Sequence, residues 1–470
     1  MNATTSPSHK AKENPPLNPY LTILTAFASW KAFLFAVALG SALLTGDAYD
    51  TSGSLVVVFP AQGGAGGTAN PTTAEASGQQ LLQPYGSEHF LTRITARFTS
   101  WDAIYFVTQT RRGYRFEQEW AFGAGLPTAV RGLLYTLRSL GVVGETEGEG
   151  ALYEALGGVF VANAAHLLSA FVLYRLGCLV LGNKKVSLLG AVLHVFSPAG
   201  LFLSAPYAES SFALLSFLGY LLFALSCVTE RQSVYRDSGL VLSGILFGLG
   251  TFFRSNGILN GIPFACEVIR HLPSLPRRPV DTVRRMIALG VGGVCVAAGS
   301  AIPQAIAYQR LCSDASGLGE LRPWCQSFLP SIYTFVQEHY WNTGFLRYWT
   351  LSNIPLFLLA APMLTILFKS GMDQLTLGRD EPQQKKTPES SQVFALLQSM
   401  AAVQVVLAVL AIAMYHVQII TRISSGYPLW YWWLAGRLSQ GEKTASHIVK
   451  FMVIYASIQG VLFASFLPPA

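Results

Sequence analysis

Apolar runs long enough to cross a hydrocarbon layer recur along this chain, near 20–44, 154–182, 186–205, 207–228, 287–308, 351–368, 393–415 and 446–467. A bilayer core of about 30 Å takes roughly 20 such residues as a helix, since each adds about 1.5 Å of rise. Inside lipid every backbone N–H and C=O must find its partner within the protein, so this pattern calls for a bundle of helices. Shorter or interrupted runs near 239–253, 257–270 and 427–436 bring the expected crossings to about eleven. Composition agrees: 12% of the 470 residues are charged, against about a quarter in soluble domains.

The expected fold is therefore an all-α polytopic membrane protein, with one membrane domain over 20–470 behind a polar tail at 1–19. The first apolar run is too long for a signal-peptide core and lacks a cleavage site, so it reads as a retained helix. Regions 125–140 and 328–347 read as helices lying on the membrane surface. The net charge of +7 is spread over short loops, which speaks for membrane topology and against a nucleic-acid partner.

A cytosolic N-terminus places Lys184, Lys185, Arg231, Arg236, the 270–286 loop and Lys385 with Lys386 on the cytosolic side, as the positive-inside rule requires. The loops at 45–153, 206–209, 254–257, 309–350 and 416–428 then share the opposite, luminal side. Within the first of these, 46–83 is a Gly-, Thr-, Ala- and Ser-rich insertion, and 369–392 reads as a cytosolic linker. Cys312 and Cys325 share the 309–350 loop, where an oxidising lumen would pair them. The other four cysteines fall in expected spans, and no CxxC or His-x-x-x-His spacing suggests a metal.

Chemistry-bearing side chains concentrate in 101–127, WDAIYFVTQTRRGYRFEQEWAFGAGLP. Asp102 follows Trp101 and suits either a general base or the cap of a short helix. Glu117 and Glu119, with Trp120 beside them, suit either a solvated loop or binding of glycan hydroxyls. Arg254, next to Asn256, is a cation near membrane depth. It would contact a phosphate or pair with Glu209, itself a site residue or part of a helix start. His416, Gln418 and Arg422 form a third polar cluster, followed by an aromatic run that fits an interfacial belt or a lipid groove. No phosphate-loop or dinucleotide fingerprint is present, so a nucleotide-sugar donor is not expected.

The Trp-Asp pair at 101–102 and the Glu-x-x-x-Ala-Phe-x-x-Gly pattern at 117–125 resemble the GPI mannosyltransferase 2 family. SPAGLFLSAPYAESSFALLSFLG at 197–219, FRSNGILNG at 253–261, YWTLSNIPLFLLAAPML at 348–364 and HVQIITRISSGYPLWYWWLA at 416–435 extend the resemblance over most of the chain. It implies a GT-C-class glycosyltransferase of the endoplasmic reticulum membrane. Such an enzyme transfers the second, α-1,6-linked mannose of the GPI anchor from dolichyl-phosphate mannose to a mannosylated glucosaminyl-phosphatidylinositol, with inversion and without a separate cofactor. Fungal members of the family work with a small membrane accessory subunit. Carried onto this chain, the resemblance makes Asp102 the base. Arg254, Arg422 and His416 become candidates for the donor phosphate, and Trp101, Glu117, Glu119, Trp120, Glu209 and Asn256 for the acceptor.

The rival reading is a polytopic transporter or scramblase of lipid or small solute, since Lys31 and Arg254 are ionisable groups within apolar surroundings. The long acidic and aromatic loop at 101–127 and the ordered series of motifs speak against it.

Overall fold

The computed structural model describes residues 18–44, 87–144, 151–228, 233–312, 322–377 and 388–467. The 46–83 insertion, Arg231, Lys385, Lys386 and most of the tail at 1–19 lie outside the described residues. The described chain is helical, with helices α1 (Pro19–Leu44), α2 (Ser87–Phe98), α3 (Asp102–Arg112), α4 (Gly125–Ser139), α5 (Leu152–Leu181) and α6 (Lys184–Val195) in its first part. Then come α7 (Glu209–Val228), α8 (Ser233–Phe253), α9 (Ile262–His271), α10 (Pro279–Cys312) and α11 (Ile332–His339). The last are α12 (Ile354–Thr376), α13 (Pro388–Ala413), α14 (Ile420–Ile423), α15 (Leu429–Ser439) and α16 (Lys443–Ala464).

Seven of these, α1, α5, α7, α10, α12, α13 and α16, are long and apolar enough to cross a membrane. The expected eleven crossings are thus not all full spans. The run at 186–205 is the clearest departure, because α6 stops at Val195 after 12 residues. Pro198 keeps the residue before it out of helical geometry, and the chain continues as a buried turn with a short 3₁₀ helix, Gly200–Leu203. α9 and α15 are also short, at 10 and 11 residues. α8 has 21 residues, but its first turns carry Arg236 and Asp237.

Irregular backbone at such depth survives only where the protein itself supplies partners. Lys31 of α1 does so, donating to the Leu203 carbonyl at 2.9 Å and to Ser204 Oγ at 2.7 Å. Asn163 of α5 donates to the Ser204 carbonyl at 3.2 Å.

α8 packs between α7 and α10, while α5 joins α7 to α6 and α12 pairs with α13. The α8–α10 crossing is closed by glycine. A Cβ on Gly244 would lie 2.4 Å from Gly292 Cα, and one on Gly248 would lie 2.2 Å from the Cys295 carbonyl oxygen. In lipid such close backbone approach supplies the dispersion contact that holds helices together. In the aromatic run of α15, Trp430 and Tyr431 are fully buried and stack with centroids 3.7 Å apart, while Trp432 and Trp433 line a separate cavity.

Both expected surface regions contain helices, α4 and α11. α11 belongs to a small satellite core of Trp120, Ala307, Cys312, Trp324, Ile332 and Val336. Cys312 and Cys325 are disulfide-bonded beside it, with Cα atoms 5.7 Å apart.

Candidate active site

Asp102 is the first residue of α3, and the turn that delivers it is strained. Trp101 has φ +58° and ψ −129°, a conformation that costs a residue with a Cβ about 1–3 kcal/mol. The indole stacks on Phe466 at 5.0 Å between centroids, and the Ser100 carbonyl accepts from the Tyr207 hydroxyl at 3.1 Å. Those contacts hold the turn from two sides. Trp101 occupies the cap position and no side chain caps α3, so Asp102 is not a helix cap. Its Oδ2 instead forms an ion pair with Arg422 Nη2 at 2.7 Å.

Arg422 lies in the single-turn helix α14. Its guanidinium faces the rings of Phe202 and Tyr207, 5.0 and 5.5 Å from their centroids, and its Nε lies 3.5 Å from Glu209 Oε1. That same oxygen accepts from Arg254 Nη1 at 2.5 Å. Arg254 Nε reaches Asn256 Oδ1 at 3.3 Å, and Asn256 Nδ2 donates to the Tyr427 hydroxyl at 2.9 Å. Asp102, Arg422, Glu209 and Arg254 thus alternate in sign and sum to zero. Burial alone would weaken the proton affinity of Arg422. Asp102 and Glu209 outweigh it and raise the pKa above its ordinary value, so the guanidinium stays charged.

Two cavities, of about 500 and 370 Å³, meet at this pair and share Trp101, Asp102, His416, Ile419 and Arg422 in their walls. The larger is bounded further by Tyr105, Phe122, Arg254, Asn256, Tyr333 and Trp341. The smaller is bounded by Phe202, Tyr207, Leu356, Gln418 and Gln459. All five loops that the sequence places on one face therefore contribute to this centre. The Trp101 indole N–H is buried with no hydrogen-bond partner. His416 packs edge-on against Tyr348 at 4.9 Å. Burial lowers its pKa; Asp102 opposes this and Arg422 adds to it.

Gly123 closes the larger cavity by backbone contact: a Cβ there would lie 2.1 Å from the Phe253 carbonyl oxygen, one residue before Arg254. Only glycine lets the 121–123 wall approach α8 this closely.

Of the acceptor candidates, Trp101 and Asn256 line a cavity, whereas Glu117, Glu119, Trp120 and Glu209 line neither. The two glutamates turn inward from a short 3₁₀ helix, Glu117–Ala121. Glu117 accepts from Trp324 Nε1 and from the Tyr340 hydroxyl, each at 3.1 Å, and so ties 322–340 to this loop. Glu119 accepts from Arg112 and from the backbone N–H of Arg115 at 2.6 Å. Trp120 packs on Tyr114 at 4.6 Å between centroids. These groups shape the loop rather than the cavity. Sequence reading passed over Tyr105, although it lies three residues beyond Asp102 and hence on the same helical face. Tyr333, Trp341 and Leu356 carried no local signal. Among the described residues no group of His, Cys, Asp and Glu is placed to hold a metal ion.

Comparison with known proteins identifies the family. The family model described as Mannosyltransferase (PIG-V) matches residues 71–470. GPI mannosyltransferase 2 of Chaetomium globosum is 59% identical, over 96% of this chain and 97% of its own length. The protein of the same name from Gibberella zeae is 42% identical over 96% and 98%, and that of Schizosaccharomyces pombe 32% over 79% and 73%. The oligosaccharyltransferase of Archaeoglobus fulgidus, a solved structure, shares 12% identity at a TM-score of 0.39, covering 93% of this chain and 56% of that one. On the family match and the near full-length identities, the chain belongs to the mannosyltransferase (PIG-V) family.

Proposed function

We propose that this protein acts in GPI-anchor synthesis, transferring the second mannose in α-1,6 linkage from dolichyl-phosphate mannose to the one-mannose glucosaminyl-phosphatidylinositol precursor. We place the reaction at the luminal face of the endoplasmic reticulum membrane, on a GT-C-type scaffold. The observation that carries the reading is a carboxylate and a guanidinium, Asp102 and Arg422, 2.7 Å apart in the wall shared by two cavities. One group suits a hydroxyl to be deprotonated and the other a phosphate to be released.

The acceptor hydroxyl gives its proton to the Asp102 carboxylate as its oxygen bonds to the anomeric carbon. The bond from that carbon to the phosphate oxygen breaks, and the electron pair leaves on dolichyl phosphate. Attack opposite the leaving group turns the β-linked donor into an α-linked product. The leaving group is a stabilised anion and needs no general acid. Arg422 and Arg254 supply fixed positive charge where negative charge develops, and His416, held neutral by its lowered pKa, contributes a hydrogen bond. Trp101 and Asn256, which line the larger cavity, are the acceptor contacts on this side.

The test is mannose transfer from radiolabelled dolichyl-phosphate mannose to a synthetic one-mannose acceptor by the purified protein in lipid nanodiscs. Formation of an α-1,6-linked product supports the proposal. Absence of transfer, with or without a co-purified accessory subunit, would overturn it and return attention to transport or scrambling.

A further inference from the structure

Glu209 lines neither cavity and is fully buried, yet both cavity-wall arginines approach one of its oxygens. It opens α7, where the positive end of the helix favours a carboxylate. Its arrangement is incomplete in a specific way. Glu209 Oε2 and Arg422 Nε are both buried and both lack a hydrogen-bond partner, although Nε is 3.5 Å from the neighbouring Oε1. A carboxylate oxygen and a guanidinium N–H left unmade side by side are costly. A bidentate fork onto Glu209 would use Nε and its neighbour Nη2 on one edge of the guanidinium. Nη2 is instead engaged in an ion pair with Asp102 at 2.7 Å. Arg422 therefore has two mutually exclusive settings. In one, Nη2 neutralises Asp102; in the other, the Nε and Nη2 edge closes onto Glu209, leaving Asp102 unpaired and Nη1 as the group that meets the phosphate.

We propose that Arg422 is an exchangeable counter-ion and Glu209 its pivot. In the empty site Arg422 masks Asp102, and an entering phosphate draws it off, closing the Glu209 fork and leaving the carboxylate free to accept a proton. Glu209 acts through Arg422 and is a positioning residue, not a catalytic one. Arg254, held by the same Glu209 oxygen, stays in place and marks the other edge of the phosphate position. The other polar groups around Asp102, namely His416, Tyr105 and Tyr207, do not substitute for this exchange, because none of them bonds both carboxylates. This inference rests on the mannosyltransferase reading for the identity of the phosphate, but its test needs no turnover.

The test is equilibrium binding of farnesyl phosphate, a short polyprenyl phosphate, to the full-length protein in nanodiscs. If phosphate must take Arg422 from Asp102, then Asp102→Asn removes the competitor and tightens binding about tenfold. Glu209→Gln removes the pivot and weakens binding at least about threefold. Plain charge repulsion predicts the opposite for the second variant, since it too deletes a negative charge, so tightening in both would overturn the proposal. Unchanged affinity in Asp102→Asn would overturn it as well. Should Glu209→Gln not fold, the deciding comparison is made in an Arg422→Lys background. A lysine cannot hold Glu209 through a fork while it turns, so there the gain from Asp102→Asn must fall below about twofold. A persisting tenfold gain would count as repulsion alone. Failure of the transferase reading would show in the transfer assay and leave these affinities intact.

Discussion

Arg422 Nη2 and Asp102 Oδ2 meet at 2.7 Å, although one residue follows the thirteenth helix of the fold and the other opens the third. The pair joins two cavities and two chemical tasks. Its side chains are only partly shielded, with 16% of Arg422 and 31% of Asp102 exposed, so each can also face a ligand.

Asp102→Asn should reduce mannose transfer by at least about 100-fold while acceptor affinity changes little, because the amide keeps the shape and cannot accept the proton. Since Trp101 occupies the cap position, helix α3 should form normally in the variant. Near-wild-type turnover by well-folded protein would rule out the base.

His416 should remain neutral at pH 7, because burial lowers its pKa below the ordinary 6.5. A histidine with a depressed folded pKa binds fewer protons folded than unfolded. Its contribution is therefore intact above pH 6.5, falls as pH drops towards the folded pKa, and then levels off. Thermal melts between pH 7.5 and 5 should lose part of this slope in His416→Gln; an unchanged slope would contradict the assignment.

Gly244→Ala should destabilise the bundle by about 1–3 kcal/mol through overpacking, since the new methyl would meet Gly292 Cα at 2.4 Å. Gly293→Ala, where nothing lies within 4 Å, should be neutral or slightly stabilising. Melting temperatures of the two variants in one detergent check the contrast, and equal effects would count against a glycine-dependent crossing.

Non-reducing mass spectrometry should recover the peptide linked through Cys312 and Cys325. Closing a loop with a sequence separation of 13 contributes about 3 kcal/mol in the chain-entropy account, so Cys312→Ser should melt earlier. Free thiols at both positions in protein from oxidising membranes would show that the bond does not form.

Single cysteines placed at Asp102, Arg254 and Arg422 should react only after sealed microsomes are opened, if those positions are luminal. Cysteines at Lys184 and Arg284 should react from outside. Labelling of positions 102 and 184 from the same side would refute the proposed orientation.

The sequence by itself determined the helical membrane fold, because runs near 20 apolar residues leave the backbone no other way to satisfy its hydrogen bonds. Seven of its eight long runs are span-length helices. Local sequence also marked Asp102, Arg254, Asn256, His416 and Arg422, since charged and polar groups beside apolar runs are costly unless they face a cavity or a partner. Tertiary structure decided the rest. Pro198 broke an apolar run that looked continuous, and the stranded backbone depends on Lys31 and Asn163, which belong to helices far away in the chain. Glu117 and Glu119 suited either a solvated loop or glycan hydroxyls, and partners beyond the reach of local pattern, Trp324 and Tyr340, hold Glu117 in the folded loop. Glu209 and Arg254 did form the pair that composition allowed. That Arg422 joins them, and that the same guanidinium answers to Asp102, depends on where four separate loops converge, and spacing along the chain carries no information about that distance.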